Sequence, residues 1–107
     1  ISAMESDCGI PLTALKVDGG ASANGLLMQF QADLLNVPVV RPACIETTAM
    51  GAAYLAGLSA GMFSGLDAIT ANWRAGREYA PTEDSPRVRN LLHGWHKAVE
   101  RAKNWME

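Results

Sequence analysis

Two short apolar runs, Thr13–Val17 and Val37–Arg41, flank a glycine-rich loop and a helical stretch, and this succession limits the fold more than any other feature. Strand, helix and strand in immediate order predict a parallel strand pair joined by a right-handed crossover. The helix runs from Asn24 to Leu35, with Leu26, Leu27, Phe30 and Leu34 at helical spacing and Gln29 and Asp33 on the other side. Asn36-Val37-Pro38 ends it. Pro38 has no amide hydrogen for a ladder, so it belongs at the start of the second strand or on an edge.

The remaining chain adds helices. Ile1–Asp7 reads as the end of a helix, stopped by Gly9 at its C-terminal cap and Pro11 just beyond. A third helix is expected from about Thr47 to Gly61, with Thr47 or Thr48 capping its free amides. Ala49, Ala52, Ala53, Ala56 and Ala60 give it a small-residue face for close approach to a neighbour. Gly61–Pro81 reads as irregular apart from a helical turn near Leu66–Thr70. The last helix opens with Ser85 as N-cap and Pro86 at the first helical position. Val88, Leu91, Leu92, Trp95, Val99, Ala102 and Met106 then share one stripe, while Arg87, Arg89, Lys97 and Lys103 face away.

The predicted order is α-β-α-β-α-α, and it leaves the sheet short. Two strands make a poor sheet, and parallel strands need cover on both faces. The chain therefore reads as a C-terminal fragment of a larger sheet. Such a piece should expose an unpaired strand edge and apolar helix faces.

Composition removes several functional classes. The chain has 107 residues, 49% of them hydrophobic and 19% charged, within the range of one small globular domain. A net charge of -2 gives no basic footprint for nucleic acid. Cys8 and Cys44 lie far apart with no His or Cys partner at ligand spacing. They suggest free thiols in a reducing cytoplasm rather than a disulfide or a zinc site. No signal peptide is visible. Residues 47–66 carry no charge, yet most of them are Ala, Gly, Ser or Thr, too little apolar surface for a membrane span. His93 and His96 sit three apart without a carboxylate partner and read as a solvated face. Trp73, Trp95 and Trp105 read as packing anchors. No Ser/His/Asp set or converging carboxylate pair suggests a catalytic centre.

What remains is the loop VDGGASANG, residues 17–25. A glycine turn leaving a strand and opening a helix places unpaired amides and a positive helix end beside any ligand. Glycines let a flat ring or phosphate come close. Ligands of open α/β sheets lie off the carboxyl ends of strands, where Gly19 and Gly20 fall. Asn24 can cap the helix or offer its amide to a ligand. Asp18 can orient a ligand or simply stabilise the turn. The spacing matches neither G-x-G-x-x-G nor a Walker A loop, so it leaves a nucleotide loop and a structural turn both open.

The run LKVDGGASANGLLMQFQADLLNVPVVRP, then ETTAMGAAYLAGLSAGMFSGLDAI, then GWHKAVERAKNW, resembles the C-terminal region of the FGGY carbohydrate kinases, within the actin/hexokinase/Hsp70 ATPase superfamily. The likeness covers nearly the whole chain from about Ala3. Leu27–Gln31 and Glu46–Tyr54 resemble the branch that phosphorylates glycerol. The resemblance implies an α/β fold, part of an actin/hexokinase-like (ribonuclease H-like) ATPase domain with short parallel strands, flanking helices and a long C-terminal helix. It implies that residues 1–107 belong to the second, nucleotide-binding domain. Val17-Asp18-Gly19-Gly20 would be the adenosine motif, with Gly20 approaching the nucleotide through its backbone and Asn24 contacting the adenosine end. Gly19 and Ala21 would shape the same loop, and the helix from Thr47 would pack behind the nucleotide lobe through its alanine face.

The same resemblance implies a cytoplasmic, homo-oligomeric parent that moves the γ-phosphoryl of ATP, with Mg2+, to a terminal hydroxyl of glycerol. The first phosphate motif, the glycerol-binding residues and the catalytic aspartate would lie upstream, so this piece alone is expected to be inactive. Two other readings stand beside it: a fragment of another FGGY sugar or polyol kinase, and a free-standing nucleotide-binding module.

Overall fold

The short strands form where apolar residues and turn chemistry predict them, although the sheet is not the purely parallel pair expected. A computed structural model describes residues 1–82 and 86–103. Its elements are helix α1 (Ser2–Cys8), strand β1 (Leu15–Lys16), a 3-10 turn (Gly20–Ala23), helix α2 (Gly25–Leu35), strand β2 (Val39–Pro42), helix α3 (Thr47–Ser59), helix α4 (Leu66–Thr70), strand β3 (Ala75–Tyr79) and helix α5 (Pro86–Ala102). The sheet order is β1-β2-β3. β1 and β2 are parallel, pairing Leu15 with Val39 and Lys16 with Val40. β3 is antiparallel to β2 and lies in the stretch expected to be irregular. The short parallel sheet is thus corrected to a small mixed one.

Several terminators work as their chemistry dictates. Gly9 closes α1 in the left-handed region, φ 68°, with its amide donating to Glu5 O. Asn36 closes α2 at φ 54°, a conformation that Asn tolerates better than most residues. Pro38 stands just before β2, and its carbonyl accepts from Leu15 N at 2.8 Å, so the missing amide costs the ladder nothing. The N-terminus of α3 differs from expectation. Its cap position is Glu46, with no side-chain cap bond, and the Thr47 hydroxyl donates to Asp18 Oδ2 instead. The expected Ser85 cap, and Trp105 and Met106 at the chain end, lie outside the described residues.

The core is small: Met28, Ala32, Val39 and Tyr79 are buried, with Leu15 and Val17 packed against them. The face of α2 laid on the sheet is therefore the Met28/Ala32 face. The expected apolar face points the other way, with Leu26 83% and Phe30 40% exposed. A helix apolar on both sides is built to be covered on both sides. Gln29 and Asp33, expected on the side away from the leucines, fasten the chain after β3. Gln29 Nε2 donates to Ala80 O at 2.8 Å, and Asp33 Oδ1 accepts from the Thr82 amide and hydroxyl at 2.8 Å each. The Thr82 amide and the Gln29 and Thr82 side chains hold the Asp33 carboxyl below its ordinary value, against the opposing effect of burial.

The uncovered faces meet in a groove of about 930 Å³ between α1, α2 and α5, lined by Leu12, Phe30, Leu34, Leu91 and Trp95 among others. Val88, Leu92 and Val99 on the predicted α5 stripe are half-buried, whereas Trp95 is 65% exposed. The five alanines of the third helix are all exposed. The radius of gyration is 18.2 Å, against about 13 Å for a compact domain near 100 residues. Helix faces of this kind and so open a shape belong to part of a larger body. No helix among the described residues is long and apolar enough to cross a membrane.

Candidate functional site

The loop after β1 is held at both ends, and its middle is left bare. Val17 N donates to Val40 O at 3.0 Å and extends the parallel ladder by one bond. Gly19 N donates to Ile45 O at 3.0 Å, and the Asp18 carboxylate takes the Thr47 hydroxyl, so the β2–α3 connection pins the loop's first half. The Asp18 side chain thus ties the end of β1 to α3. Gly19 itself has φ 76° and ψ 171°, a region essentially reserved for glycine.

The chain then makes its 3-10 turn. Ser22 is buried, at 2% exposure. Its amide and its hydroxyl both donate to Gly19 O, at 3.0 and 2.6 Å. Arg41 Nη1, reaching across from β2, donates to Ser22 O at 3.1 Å. Asn24 follows as the N-cap of α2, with Oδ1 accepting from Leu27 N at 3.1 Å. The two uses foreseen for Asn24 are compatible, because capping occupies the carbonyl oxygen and leaves the Nδ2 donors over.

Gly20, Ala21 and Asn24 are exposed, and Gly19 is half-buried. Among the described residues no acceptor takes the amides of Gly20 or Ala21. A Cβ built on Gly19 or Gly20 meets nothing within 4 Å. The four residues singled out from the sequence thus form one open wall with unspent donors beside the positive end of an eleven-residue helix. They line neither the apolar groove nor the small cleft of about 160 Å³ among Lys16, Asp18, Pro42, Thr47 and Trp73. In that cleft the Lys16 ammonium lies 4.5 Å from the centre of the Trp73 ring.

Sequence reasoning missed the residues behind the wall. Ser22 is the one hydroxyl in a loop otherwise of Gly, Ala and Asn, and Arg41 the one charge in the second strand; each oddity was a signal. Cys8 and Cys44 are free and exposed. Among the described residues no three His, Cys, Asp or Glu side chains gather as a metal site.

The fold and loop have counterparts in known proteins. Residues 1–60 match the model of the C-terminal domain of the FGGY family of carbohydrate kinases. The glycerol kinase of Caldanaerobacter subterraneus subsp. tengcongensis is 56% identical over all 107 residues, which make up 22% of its own length. That of Carboxydothermus hydrogenoformans is 57% identical over 105 residues, 98% of this chain and 21% of the relative. Among solved structures, Plasmodium falciparum glycerol kinase with ADP superposes with a TM-score of 0.75 at 32% identity, over 98% of this chain and 21% of that one. A ligand-bound xylulose kinase from Lactobacillus acidophilus shares the fold, with a TM-score of 0.65 at 22% identity over 85% of this chain and 19% of that one. The chain spans about a fifth of the length of the curated relatives it matches.

Proposed function

The chain belongs to the FGGY family of carbohydrate kinases, and from that premise we propose that it is the C-terminal part of an ATP-dependent glycerol kinase whose product is sn-glycerol 3-phosphate. The observation that carries this reading is identity of 56% to a glycerol kinase along the entire chain. The likeness to a xylulose kinase is too distant to compete as a substrate assignment. The whole chain, residues 1–107, then lies within the second, nucleotide-binding domain, of the ribonuclease H-like kind.

In this reading the chain contributes binding and orientation and no catalytic residue. The free amides of Gly20 and Ala21 donate to the nucleotide, helped by the N-terminal end of α2. Asn24 offers Nδ2 to the adenosine end while Oδ1 stays on the cap. Gly19 supplies the backbone reversal that brings these groups to one surface. Phosphoryl transfer depends mostly on positioning and charge stabilisation, so one accurate wall matters even when the reacting groups lie elsewhere. Mg2+ would accompany the ATP of the parent enzyme. The parent is proposed to be a cytoplasmic homo-oligomer.

The direct test is glycerol-dependent release of ADP by the purified full-length protein, with xylulose and gluconate as rival substrates. Turnover on a rival and none on glycerol would sink the substrate assignment. Asn24→Asp tests the wall itself. Aspartate caps a helix as well as asparagine, so thermal stability is expected to hold. Loss of the Nδ2 donor removes one hydrogen bond, about 1 kcal/mol or somewhat more, and should raise KM for ATP roughly five- to tenfold. An unchanged KM for ATP would remove Asn24 from the site.

A further inference from the structure

We propose that Arg41 is a positioning residue for the nucleotide wall, acting through Ser22; this rests on the reading of the Gly20–Asn24 loop given above. The Ser22 carbonyl, buried beneath the turn, is held from the sheet by Arg41 Nη1 at 3.1 Å. The same residue bonds Gly19 O twice, through its amide and its hydroxyl. Gly20 and Ala21 lie between those two anchored carbonyls, so the direction of their free amides follows from where Ser22 is held. A β-strand is a stiffer mount than a loop, and Arg41 transmits that stiffness to an exposed turn that has no core of its own.

The placement of Arg41 argues that its charge is kept for this bond. In the β2–β3 register it stands directly opposite Arg77. Like charges in that position are unfavourable. Arg77 lies over the Tyr79 ring, 4.9 Å from its centre. Arg41 has the Ser22 carbonyl, and among the described residues no carboxylate is paired with it. A neutral strand residue would relieve the repulsion and lose the anchor.

The test uses the full-length protein with Arg41→Met, which keeps length and removes the donor, and Arg41→Lys, which restores one donor to an acceptor needing only one. ADP affinity by titration and the KM values for ATP and glycerol are measured alongside the melting temperature. Arg41→Met should weaken ADP binding and raise KM for ATP roughly ten- to hundredfold, the scale of a small misplacement of binding groups. KM for glycerol should stay within about twofold of wild type on the same ground. Arg41→Lys should recover most of the loss. An Arg41→Met protein with wild-type ADP affinity, whatever its melting temperature, overturns the inference, as does an equal rise of both KM values. A lysine variant no better than methionine overturns it too. Should wild type bind ADP and fail to phosphorylate glycerol, the substrate assignment falls and ADP affinity still decides the role of Arg41. A wild-type protein that binds no ADP overturns both.

Discussion

Gly20→Ala should leave the full-length protein as stable as wild type, or slightly more so, while weakening nucleotide binding roughly ten- to hundredfold. The two halves of this result have separate causes. Gly20 does not have the positive φ of its neighbour Gly19, and a Cβ there meets no protein atom within 4 Å. Exchanging glycine for alanine at a compatible site removes freedom from the unfolded chain and contributes about 0.4–1 kcal/mol of stability. The new methyl instead points into space proposed for the nucleotide, where an extra carbon in a close-packed contact costs about 1–3 kcal/mol. Thermal unfolding and ADP titration on one preparation separate the two effects. Unchanged ADP affinity would show that the glycine pair serves only the turn. Gly19→Ala is the useful contrast, because at φ 76° any side chain is strained, so stability and binding should fall together.

How legible the fold was depended on what fixes each element. α1, α2, β1 and β2 were read from the chain because local chemistry decides them: Gly9 and Asn36 in left-handed caps, Asn24 on the first turn, Pro38 before the ladder. β3 was missed because local chemistry says little there. Of Ala75–Tyr79 only Tyr79 is buried, and the strand forms through its ladder to β2, a partner more than thirty residues away. The packing face of α2 is not legible in the sequence for a related reason. With leucines and Phe30 on one side and Met28 and Ala32 on the other, periodicity identifies an apolar helix and leaves open which side meets its own sheet. The four loop residues came from glycine and asparagine chemistry plus a family likeness. Their support, Arg41 on Ser22, is a contact between residues nineteen apart, invisible before the strands are paired.

Gly76→Ala is expected to be the most damaging single methyl in the chain. Pairing runs Arg41 with Arg77 and then Pro42 with Ala75, so Gly76 is the unpaired residue of a bulge in β3. A Cβ on Gly76 would lie 2.7 Å from Pro42 O, 2.8 Å from Ala43 Cα and 2.9 Å from Ala43 N. All three are backbone atoms and cannot rotate aside. Gly57 is a milder case, since its nearest would-be contact is the Phe63 ring, a side chain that can swing away. Relief at Gly76 requires the two strands to part where Ala43 N donates to Arg74 O at 2.9 Å. The expected cost is about 3 kcal/mol, the upper end for overpacking against a rigid neighbour. The damage should travel, because the strand that parts leads straight to Ile45, whose carbonyl holds Gly19 N. The full-length variant should therefore melt several degrees lower and bind ADP more weakly, whereas Gly20→Ala weakens binding without lowering the melt. Wild-type melting for Gly76→Ala would mean that the bulge is absent in solution, and the path from β3 to the nucleotide wall would be lost with it.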